Sequence, residues 1–405
     1  MNPILVIGGG IAGVTAAVEL AETGREVVLI EKEPFLGGNV LKMHNYFPKL
    51  CPPACGMEIN FRRIRNNRRI RVMTKSELTG VSGEQGNMTA TIRSAPPMVN
   101  DLCTACGDCV AVCPEERPDA FNYGFGTTRA MYRNHPLAFP QKFEIDAAYC
   151  KGTACGRCVE VCSYGAIDLS AQPVEEELKI HSVVAATGWK PYDPSVIPGL
   201  NYAGSRDIVT NVEFERLLSV SGPGEGKLVR PSDGKVPGSI AFVQCAGSRD
   251  RNHLPYCSAV CCSASLKHAL NITELLPGTK VTIYYIDLRV TGRNEDFLVR
   301  VENAKQVRLV KGKVAAVTPA GEGSGLLVEA EDIASRRKKK EMYDMVVLAT
   351  GIIPANGVPG MQKNEDGFYT AVQPSGIFTA GCATRPLDVA ATVKDVTGVA
   401  LRAMQ

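Results

Sequence analysis

The sequence predicts an α/β protein with two Rossmann-like units and a cysteine-rich segment inserted into the first unit. Three observations predict this fold. An apolar run at residues 4–7 enters a glycine-rich turn, and two later apolar runs, at residues 183–188 and 346–351, each end in Ala-Thr-Gly. Before the first of these runs, residues 96–172 contain eight cysteines in two spaced sets. Short, fully apolar runs are typical of parallel strands that are buried on both faces of a sheet.

The composition excludes several classes of protein. The 405 residues include 45 basic and 42 acidic side chains, and the resulting net charge of +3 is too small to favour nucleic acid as a partner. No apolar run reaches the roughly 18 residues that a membrane-spanning helix needs. A secretory signal is not visible, so the 15 cysteines indicate metal or redox sites in a reducing, cytoplasmic compartment rather than a disulfide framework.

The first motif predicts a dinucleotide site. Residues 8–13 read Gly-Gly-Gly-Ile-Ala-Gly, and a second strand at residues 26–30 leads to an acidic residue. Glycines at this spacing allow a tight turn, a close approach to a pyrophosphate, and close packing of the following helix. The acid lies near the spacing of about 20 residues that is typical of a ribose contact. The predicted cofactor-binding residues are Gly8, Gly10, Ile11, Ala12, Gly13, Glu31 and Lys32.

Two cysteine sets predict [4Fe–4S] clusters. The first has the spacing C-x2-C-x2-C-x3-C-P and the second C-x4-C-x2-C-x3-C. In two-cluster ferredoxins the fourth cysteine of each run binds the other cluster, so we expect Cys162 to complete the first cluster and Cys113 the second. Zinc is the weaker alternative, because its sites usually combine two C-x2-C pairs. The predicted ligands are Cys103, Cys106, Cys109, Cys113, Cys150, Cys155, Cys158 and Cys162.

A third set of cysteines falls within 18 residues near the start of the second unit. Its members are Cys245, Cys257, Cys261 and Cys262. The spacing alone leaves buried structural thiols, a redox disulfide and a metal site open as alternatives. Cys51 and Cys55 form a C-x3-C pair that supplies only two ligands, and we read them as structural or flavin-adjacent thiols.

Several segments resemble flavoproteins with two dinucleotide-binding domains. Residues 37–39, Gly-Gly-Asn, resemble the loop that approaches the flavin, and the two Ala-Thr-Gly strands recur in that superfamily. Residues 376–381 resemble the second FAD fingerprint, although Cys382 stands where an acid normally follows. The resemblance implies FAD and a disulfide-reductase-type fold with an inserted bacterial-type 2[4Fe–4S] ferredoxin domain. It adds as cofactor-binding residues Gly38, Asn39, Thr187, Gly188, Gly351, Gly381 and Cys382.

The third cysteine set carries a narrower resemblance. Residues 243–250, VQCAGSRD, and 255–262, PYCSAVCC, resemble the A subunits of heterodisulfide reductases, in which the matching cysteines hold a [4Fe–4S] cluster near the flavin. The similarity covers nearly the whole chain. Within this group, the chain is most similar to the A subunits of the quinone-interacting membrane-bound oxidoreductase (Qmo) family, which link the quinone pool to adenylylsulfate reductase.

The Qmo resemblance implies an electron-transfer subunit without a membrane span of its own. It would be cytoplasmic and attached to the membrane through partners, namely a second flavin/iron–sulfur subunit, and a membrane haem subunit. Adenylylsulfate reductase would be its redox partner. Two alternatives stay open: a heterodisulfide-reductase-like subunit of a soluble complex, including one that bifurcates electrons at its flavin, and a stand-alone NAD(P)H-dependent oxidoreductase. The latter is disfavoured because the strand at residues 240–243 leads into no glycine fingerprint.

These observations define the expected domain organisation. The FAD-binding domain takes residues 1–95, 173–235 and 346–405, and the second Rossmann-like domain, with the third cysteine set, takes residues 236–345. The ferredoxin domain takes residues 96–172. No catalytic acid–base residues are expected, because the cofactors carry the chemistry.

Overall fold

Helices and strands alternate along much of the chain, whose computed structural model describes residues 2–47, 50–291, 294–321 and 325–405. The helices of this part are α1 (Ile11–Glu22), α2 (Gly38–Leu41), α3 (Pro53–Asn66), α4 (Asp108–Ala111), α5 (Arg157–Glu160), α6 (Asn211–Leu218), α7 (Cys261–Leu275), α8 (Glu295–Glu302) and α9 (Val389–Ala403). The strands are β1 (Ile4–Ile7), β2 (Val27–Glu31), β3 (Ile70–Thr74), β4 (Ser76–Glu84), β5 (Asn87–Ser94), β6 (Glu116–Pro118), β7 (Thr127–Arg129), β8 (Met131–Tyr132), β9 (Glu144–Ile145), β10 (Val174–Ile180), β11 (Ser182–Ala185), β12 (Trp189–Pro191), β13 (Ile208–Thr210), β14 (Ser239–Ala246), β15 (Lys280–Tyr285), β16 (Val307–Lys311), β17 (Val314–Pro319), β18 (Leu326–Asp332), β19 (Arg337–Tyr343), β20 (Met345–Thr350), β21 (Ile352–Pro354) and β22 (Ile377–Thr379).

The first parallel sheet has the strand order β22-β11-β1-β2-β3. Its neighbouring strands all run parallel. Ile4 and Val6 of β1 pack in the core shared with α1, α3 and α9, whereas Leu5 and Ile7 pack against the antiparallel sheet β10-β5-β4. Full burial of such a side chain contributes about 1.5–3 kcal/mol, which explains why this strand is apolar on both faces.

The second parallel sheet has the order β13-β20-β14-β15-β16 and the same layered plan. Ile240 and Phe242 of β14 pack with α6, α7 and α8. Ala241 and Val243 face the other way, toward the antiparallel sheet β17-β18-β19. Two Rossmann-type α/β units are therefore present, as the sequence predicts.

A short antiparallel pair joins the two units. Strand β12 follows the first Ala-Thr-Gly strand and pairs with β21, which follows the second, so that Trp189 lies opposite Pro354. The ends of β11 and β20 are thus tied together through the segments that follow them. Within the described residues, no helix is long and apolar enough to cross a membrane.

The inserted segment has a small core of its own. Val99 and Ile167, near its two ends, form an isolated antiparallel bridge and share a cluster with Met131 and Ile145. The segment also contacts the first unit, because Phe139 stacks on Phe61 of α3 with ring centroids 5.4 Å apart. Its identity as a ferredoxin domain, and the predicted domain boundaries, stay predictions.

Candidate functional site

The first glycine loop connects β1 to α1. A Cβ atom on Gly13 would lie 1.7 Å from the carbonyl oxygen of Gly8, so only glycine allows the helix to approach the turn this closely. Gly10 caps α1 without a side-chain hydrogen bond, and the helix begins at Ile11 and Ala12. The N-terminal N–H groups of α1 can therefore bind an anion such as a pyrophosphate.

Glu31 ends β2 beside this loop. Its carboxylate is buried and accepts hydrogen bonds from the backbone N–H groups of Gly9 and Glu33. Burial raises the pKa of Glu31. Lys32 is solvent-accessible and forms an ion pair with Glu33 at 3.9 Å. The carboxylate thus lies at the carboxyl end of a parallel strand, next to the glycine turn, where a ribose would be expected.

The Gly37-Gly38-Asn39 segment packs directly on the first glycine loop. The N–H of Gly37 donates to the carbonyl of Gly9 at 2.8 Å, and a Cβ on Gly38 would lie 2.9 Å from the Gly10 Cα. Asn39 donates its side-chain amide to the carbonyl of Trp189 at 2.8 Å. The predicted flavin loop is therefore in contact with both the glycine turn and β12.

Thr187 and Gly188 follow β11 at the same edge of the sheet. Among the described residues, the Thr187 hydroxyl is buried and has no hydrogen-bond partner. A buried hydroxyl without a partner is costly, so a ligand that supplies one would stabilise this position. The residues of this edge therefore fit a dinucleotide by backbone geometry and by an available polar atom.

The second predicted FAD fingerprint has Cys382 where an acidic residue normally stands, and a carboxylate from another element lies nearby. The Cys382 thiol is buried, donates to the carbonyl of Leu387 at 3.3 Å, and has its pKa raised by burial. The N–H of Gly381 donates to the carboxylate of Asp395 at 2.8 Å, and Asp395 also pairs with Arg385 at 3.0 Å. A carboxylate is thus supplied beside the fingerprint from α9.

Gly351 follows β20 and packs against the loop of the third cysteine set. A Cβ on Gly351 would lie 2.4 Å from the Ser248 Oγ and 3.0 Å from the Ser258 Oγ. The structure therefore places this predicted cofactor-binding glycine in contact with the loop that carries Cys257.

The four predicted ligands of the first cluster surround one cavity. The space, counted with its opening to solvent, is about 350 Å³. Its apolar walls include Val99, Met131, Phe143 and Ile167. Burial raises the pKa of Cys109 to about 12, and nearby thiols add to the effect. The cysteines that line the cavity are Cys103, Cys106, Cys109 and Cys162.

A second group of cysteines lies across α4 and α5. Burial raises the pKa of Cys158, and the charges of Cys150 and Cys113 raise it further, so these thiols are neighbours. Cys155 ends the turn that precedes α5, and the N–H of Gly152 donates to the Cys150 sulfur at 3.3 Å. The structure therefore brings Cys162 beside the first run and Cys113 beside the second, as the predicted assignment of the fourth ligands requires; the assignment itself stays a prediction.

The third cysteine set gathers at the end of β14 and the start of α7. Cys245 has φ +57°, a left-handed conformation that is unfavourable for a residue with a Cβ and that accompanies a register shift in β14. Cys261 and Cys262 open α7, and the Cys261 thiol donates to the Thr350 carbonyl at 3.4 Å. Burial raises the pKa of Cys261, and the other three thiols raise it further.

The choice between zinc and a [4Fe–4S] cluster stays a prediction for the three sets. In the described residues, no group of three or more His, Cys, Asp or Glu side chains is arranged to hold one metal ion. A zinc ion needs thiolates at about 2.3 Å from one centre. A [4Fe–4S] cluster places iron atoms between four thiolates and so holds the sulfurs farther apart.

Sequence reasoning missed Asp395 and three charged residues at the third set, Arg249, Asp287 and Arg289. Two of these could have been found, because Asp287 and Arg289 follow the mostly apolar run at residues 281–286, which is typical of a strand. Ligands bind at the carboxyl ends of parallel strands, so charged residues directly after such a strand indicate a site.

Comparisons with known proteins identify the class. A family model described as FAD dependent oxidoreductase matches residues 3–47. The fold is similar to that of the thioredoxin reductase of T. acidophilum, with TM-score 0.56 and 15% identity; the match covers 99% of this chain and 97% of that chain. It is also similar to that of the thioredoxin reductase of Lactococcus lactis, with TM-score 0.55 and 13% identity; this match covers 100% of this chain and 98% of that chain. At such identities the likeness concerns the fold. The chain is an oxidoreductase of the FAD-dependent class.

Curated relatives have a more specific name. The A subunit of the H(2):CoB-CoM heterodisulfide,ferredoxin reductase of Methanothermobacter marburgensis is 36% identical over 417 residues, covering 98% of this chain and 63% of that protein. The iron–sulfur A subunit of CoB–CoM heterodisulfide reductase from Methanocaldococcus jannaschii is 34% identical, with the same coverage. The A subunit of the ferredoxin:CoB-CoM heterodisulfide reductase of Methanosarcina mazei is 35% identical, covering 99% and 53%. The chain is homologous to these A subunits along nearly its whole length and spans less than two thirds of theirs.

Proposed function

We propose that this chain is a flavin- and iron–sulfur-containing electron-transfer subunit similar to the A subunits of heterodisulfide reductases. The observation that carries the proposal is the continuity between the flavin loop and the third cysteine set. Asn39 binds the Trp189 carbonyl, Trp189 begins β12, and β12 pairs with β21. The N–H of Ile352 in β21 donates to the Ser258 Oγ at 2.9 Å, next to Cys257.

This chain's residues would hold and orient the flavin rather than transfer protons. The N-terminus of α1 and the Glu31 carboxylate would bind the dinucleotide, and the Thr187 hydroxyl would gain a partner. When bound, FAD supplies two-electron chemistry that iron–sulfur clusters can divide into single electrons. Cysteine thiolates of the three sets would hold the clusters.

The heterodisulfide-reductase-like alternative is better supported than the narrower Qmo assignment. The three curated relatives are named as A subunits of heterodisulfide reductases, and none of those names mentions a quinone. Partner subunits of a multi-subunit complex are therefore proposed, whereas a membrane haem subunit, adenylylsulfate reductase and membrane attachment stay predictions. A stand-alone NAD(P)H oxidoreductase stays the candidate of another class, because the fold resembles thioredoxin reductase.

Counting iron and flavin in anaerobically purified protein tests the proposal. Three [4Fe–4S] clusters require about twelve irons per FAD, and two require about eight. Cys245→Ser should lower the count from about twelve toward about eight and leave the flavin bound. Cys55→Ser, at an exposed thiol, is the control and should leave the count unchanged.

Three results would count against the proposal, each against a different part of it. Protein that contains zinc and releases no flavin on denaturation would reject it entirely. About eight irons in the unmodified chain would remove only the third cluster. Bleaching of the flavin by NAD(P)H alone, without a partner protein, would instead favour the stand-alone oxidoreductase.

A further inference from the structure

Three charged side chains form a chain of contacts around the third cysteine set. Asp287 follows β15, and its carboxylate accepts hydrogen bonds from the guanidinium groups of both Arg249 and Arg289. The Arg289 Nε lies 2.9 Å from the Asp287 Oδ2. We call these three residues the arginine clamp.

The clamp lies beside the cysteines and contacts one of them directly. The Cys262 Sγ lies 3.8 Å from the backbone carbonyl oxygen of Asp287. Arg249 is close enough to Cys245, and Arg289 to Cys257, for the charges of each pair to act on one another. Each guanidinium is therefore fixed by the Asp287 carboxylate and is near a sulfur whose negative charge it can stabilise.

The charge balance of this site decides what the clamp does. Burial raises the pKa of Cys245, the nearby Cys262 adds to this effect, and Arg249 opposes it. A cluster held by four thiolates is negatively charged and gains one more negative charge on reduction. Two guanidiniums against one carboxylate leave a net positive charge beside it. A positive charge favours the reduced form and so raises the reduction potential.

We propose that Arg249 and Arg289 raise the reduction potential of the cluster held by the third cysteine set, and that Asp287 fixes both guanidiniums in position. This inference rests on the proposed function, since it requires a cluster there. Both arginines are positioning residues that act through the cluster. Arg249 has the larger effect, because its side chain is 25% exposed against 48% for Arg289, and water screens the more exposed charge.

Redox titration of the holoprotein, followed by electron paramagnetic resonance, tests the proposal. The signal that disappears in Cys245→Ser identifies the third cluster. Arg249→Gln and Arg289→Gln should each shift its midpoint to lower potential, with the larger shift for Arg249→Gln. Arg249→Lys and Arg289→Lys keep the charge and should return the midpoint toward that of the unmodified chain. Arg251→Gln removes the same charge from an exposed position on the same loop and is the control.

The outcomes separate this proposal from the proposed function. A third-cluster signal whose midpoint is the same in Arg249→Gln, Arg289→Gln and Arg251→Gln would overturn the role of the clamp while the cluster stands. If the glutamine variants lose the signal, the lysine variants decide. Lysine variants with the unmodified midpoint support an effect of charge, whereas lysine variants without a cluster make the arginines structural and overturn it. Absence of the signal from the unmodified protein, with about eight irons per FAD, rejects the third cluster itself.

Discussion

Single residues determine whether the first glycine loop can form at the edge of the sheet that fits a dinucleotide. Gly13 packs so closely on Gly8 that no side chain fits between them, because the carbonyl oxygen of Gly8 occupies the place of a Gly13 Cβ. A backbone oxygen in a tight turn cannot rotate away as a side chain can. The close approach of α1 to β1 therefore depends on one missing methyl group.

Gly13→Ala should destabilise the fold and weaken flavin binding together. Overpacking of this kind costs about 1–3 kcal/mol, and moving α1 away from the turn displaces the N–H groups that would bind the pyrophosphate. Flavin released per chain and the free energy of unfolding measure the two effects. Gly398→Ala in α9, where a Cβ meets nothing within 4 Å, is the control and should stabilise the helix by about 0.5–1 kcal/mol.

A second residue-scale prediction concerns His135 in the inserted segment. Burial lowers the pKa of His135 to about 4, and its Nδ1 accepts a hydrogen bond from the N–H of Leu137 at 3.0 Å. In the unfolded chain His135 binds a proton below about pH 6.5, whereas in the folded chain it does so only below about pH 4. The free energy of unfolding should therefore fall as the pH drops from about 6.5 toward 4, because the proton favours the unfolded chain.

His135→Asn keeps a short acceptor and removes the titration, so its stability should change less steeply between about pH 7 and 5. Chemical denaturation at several pH values measures this slope. His253→Asn, at a histidine that hydrogen-bonds the Tyr192 hydroxyl at 2.9 Å, controls for the loss of a histidine. Equal slopes in the two variants would contradict the prediction.

At the scale of elements, side-chain hydrogen bonds fix the first turn of α6. Helix α6 begins with a capping box, in which Thr210 accepts from the Glu213 N–H and the Glu213 carboxylate accepts from the Thr210 N–H at 2.6 Å. The same Glu213 accepts from the Tyr202 hydroxyl at 2.5 Å. Because Thr210 also ends β13, this cap fixes the turn from strand to helix.

Thr210→Ala should lower the free energy of unfolding by about 1 kcal/mol, since the Glu213 N–H loses its acceptor. Thr210→Ser retains the hydroxyl and is the matched control, with most of the stability preserved. Thermal and urea unfolding of the two variants measure the difference. A serine variant as unstable as the alanine variant would show that packing of the threonine methyl, and not the cap, matters.

At the scale of the whole molecule, one buried arginine joins three distant parts of the chain. Arg216 is fully buried and donates to the Asn122 Oδ1 at 2.8 Å, to the Lys42 carbonyl at 3.2 Å and to the Ser221 carbonyl at 2.7 Å. Its guanidinium also lies 4.8 Å from the centroid of the Phe121 ring. The inserted segment, the region after α2 and the second unit therefore meet at this side chain.

Arg216→Met should destabilise the protein by about 3–5 kcal/mol, because it leaves buried acceptors without donors. It should also loosen the inserted segment, with faster hydrogen exchange at residues 119–124. Arg68→Met, at an exposed position, is the control and should change the free energy of unfolding by less than about 0.5 kcal/mol. Unchanged exchange at residues 119–124 in Arg216→Met would show that other contacts hold the segment.

The sequence by itself determined the features that depend on local pattern. Period and apolarity located β1, β11 and β20, because a strand buried on both faces has no place for a polar side chain. The glycine loop and the spacing of the cysteine runs could also be recognised in the sequence, because a tight turn and a set of converging ligands each depend on only a few neighbouring residues.

The tertiary structure alone decided which distant residues meet. Asp395 reaches Gly381 from α9, and Asp287 reaches Arg249 from the end of another strand. Local sequence can indicate that Asp287 follows a strand, but it does not show which residue either carboxylate meets, because each contact depends on how helices and strands pack across a sheet. Packing brings together side chains that are far apart in the chain, so the charges around a site follow from the fold and not from its motifs.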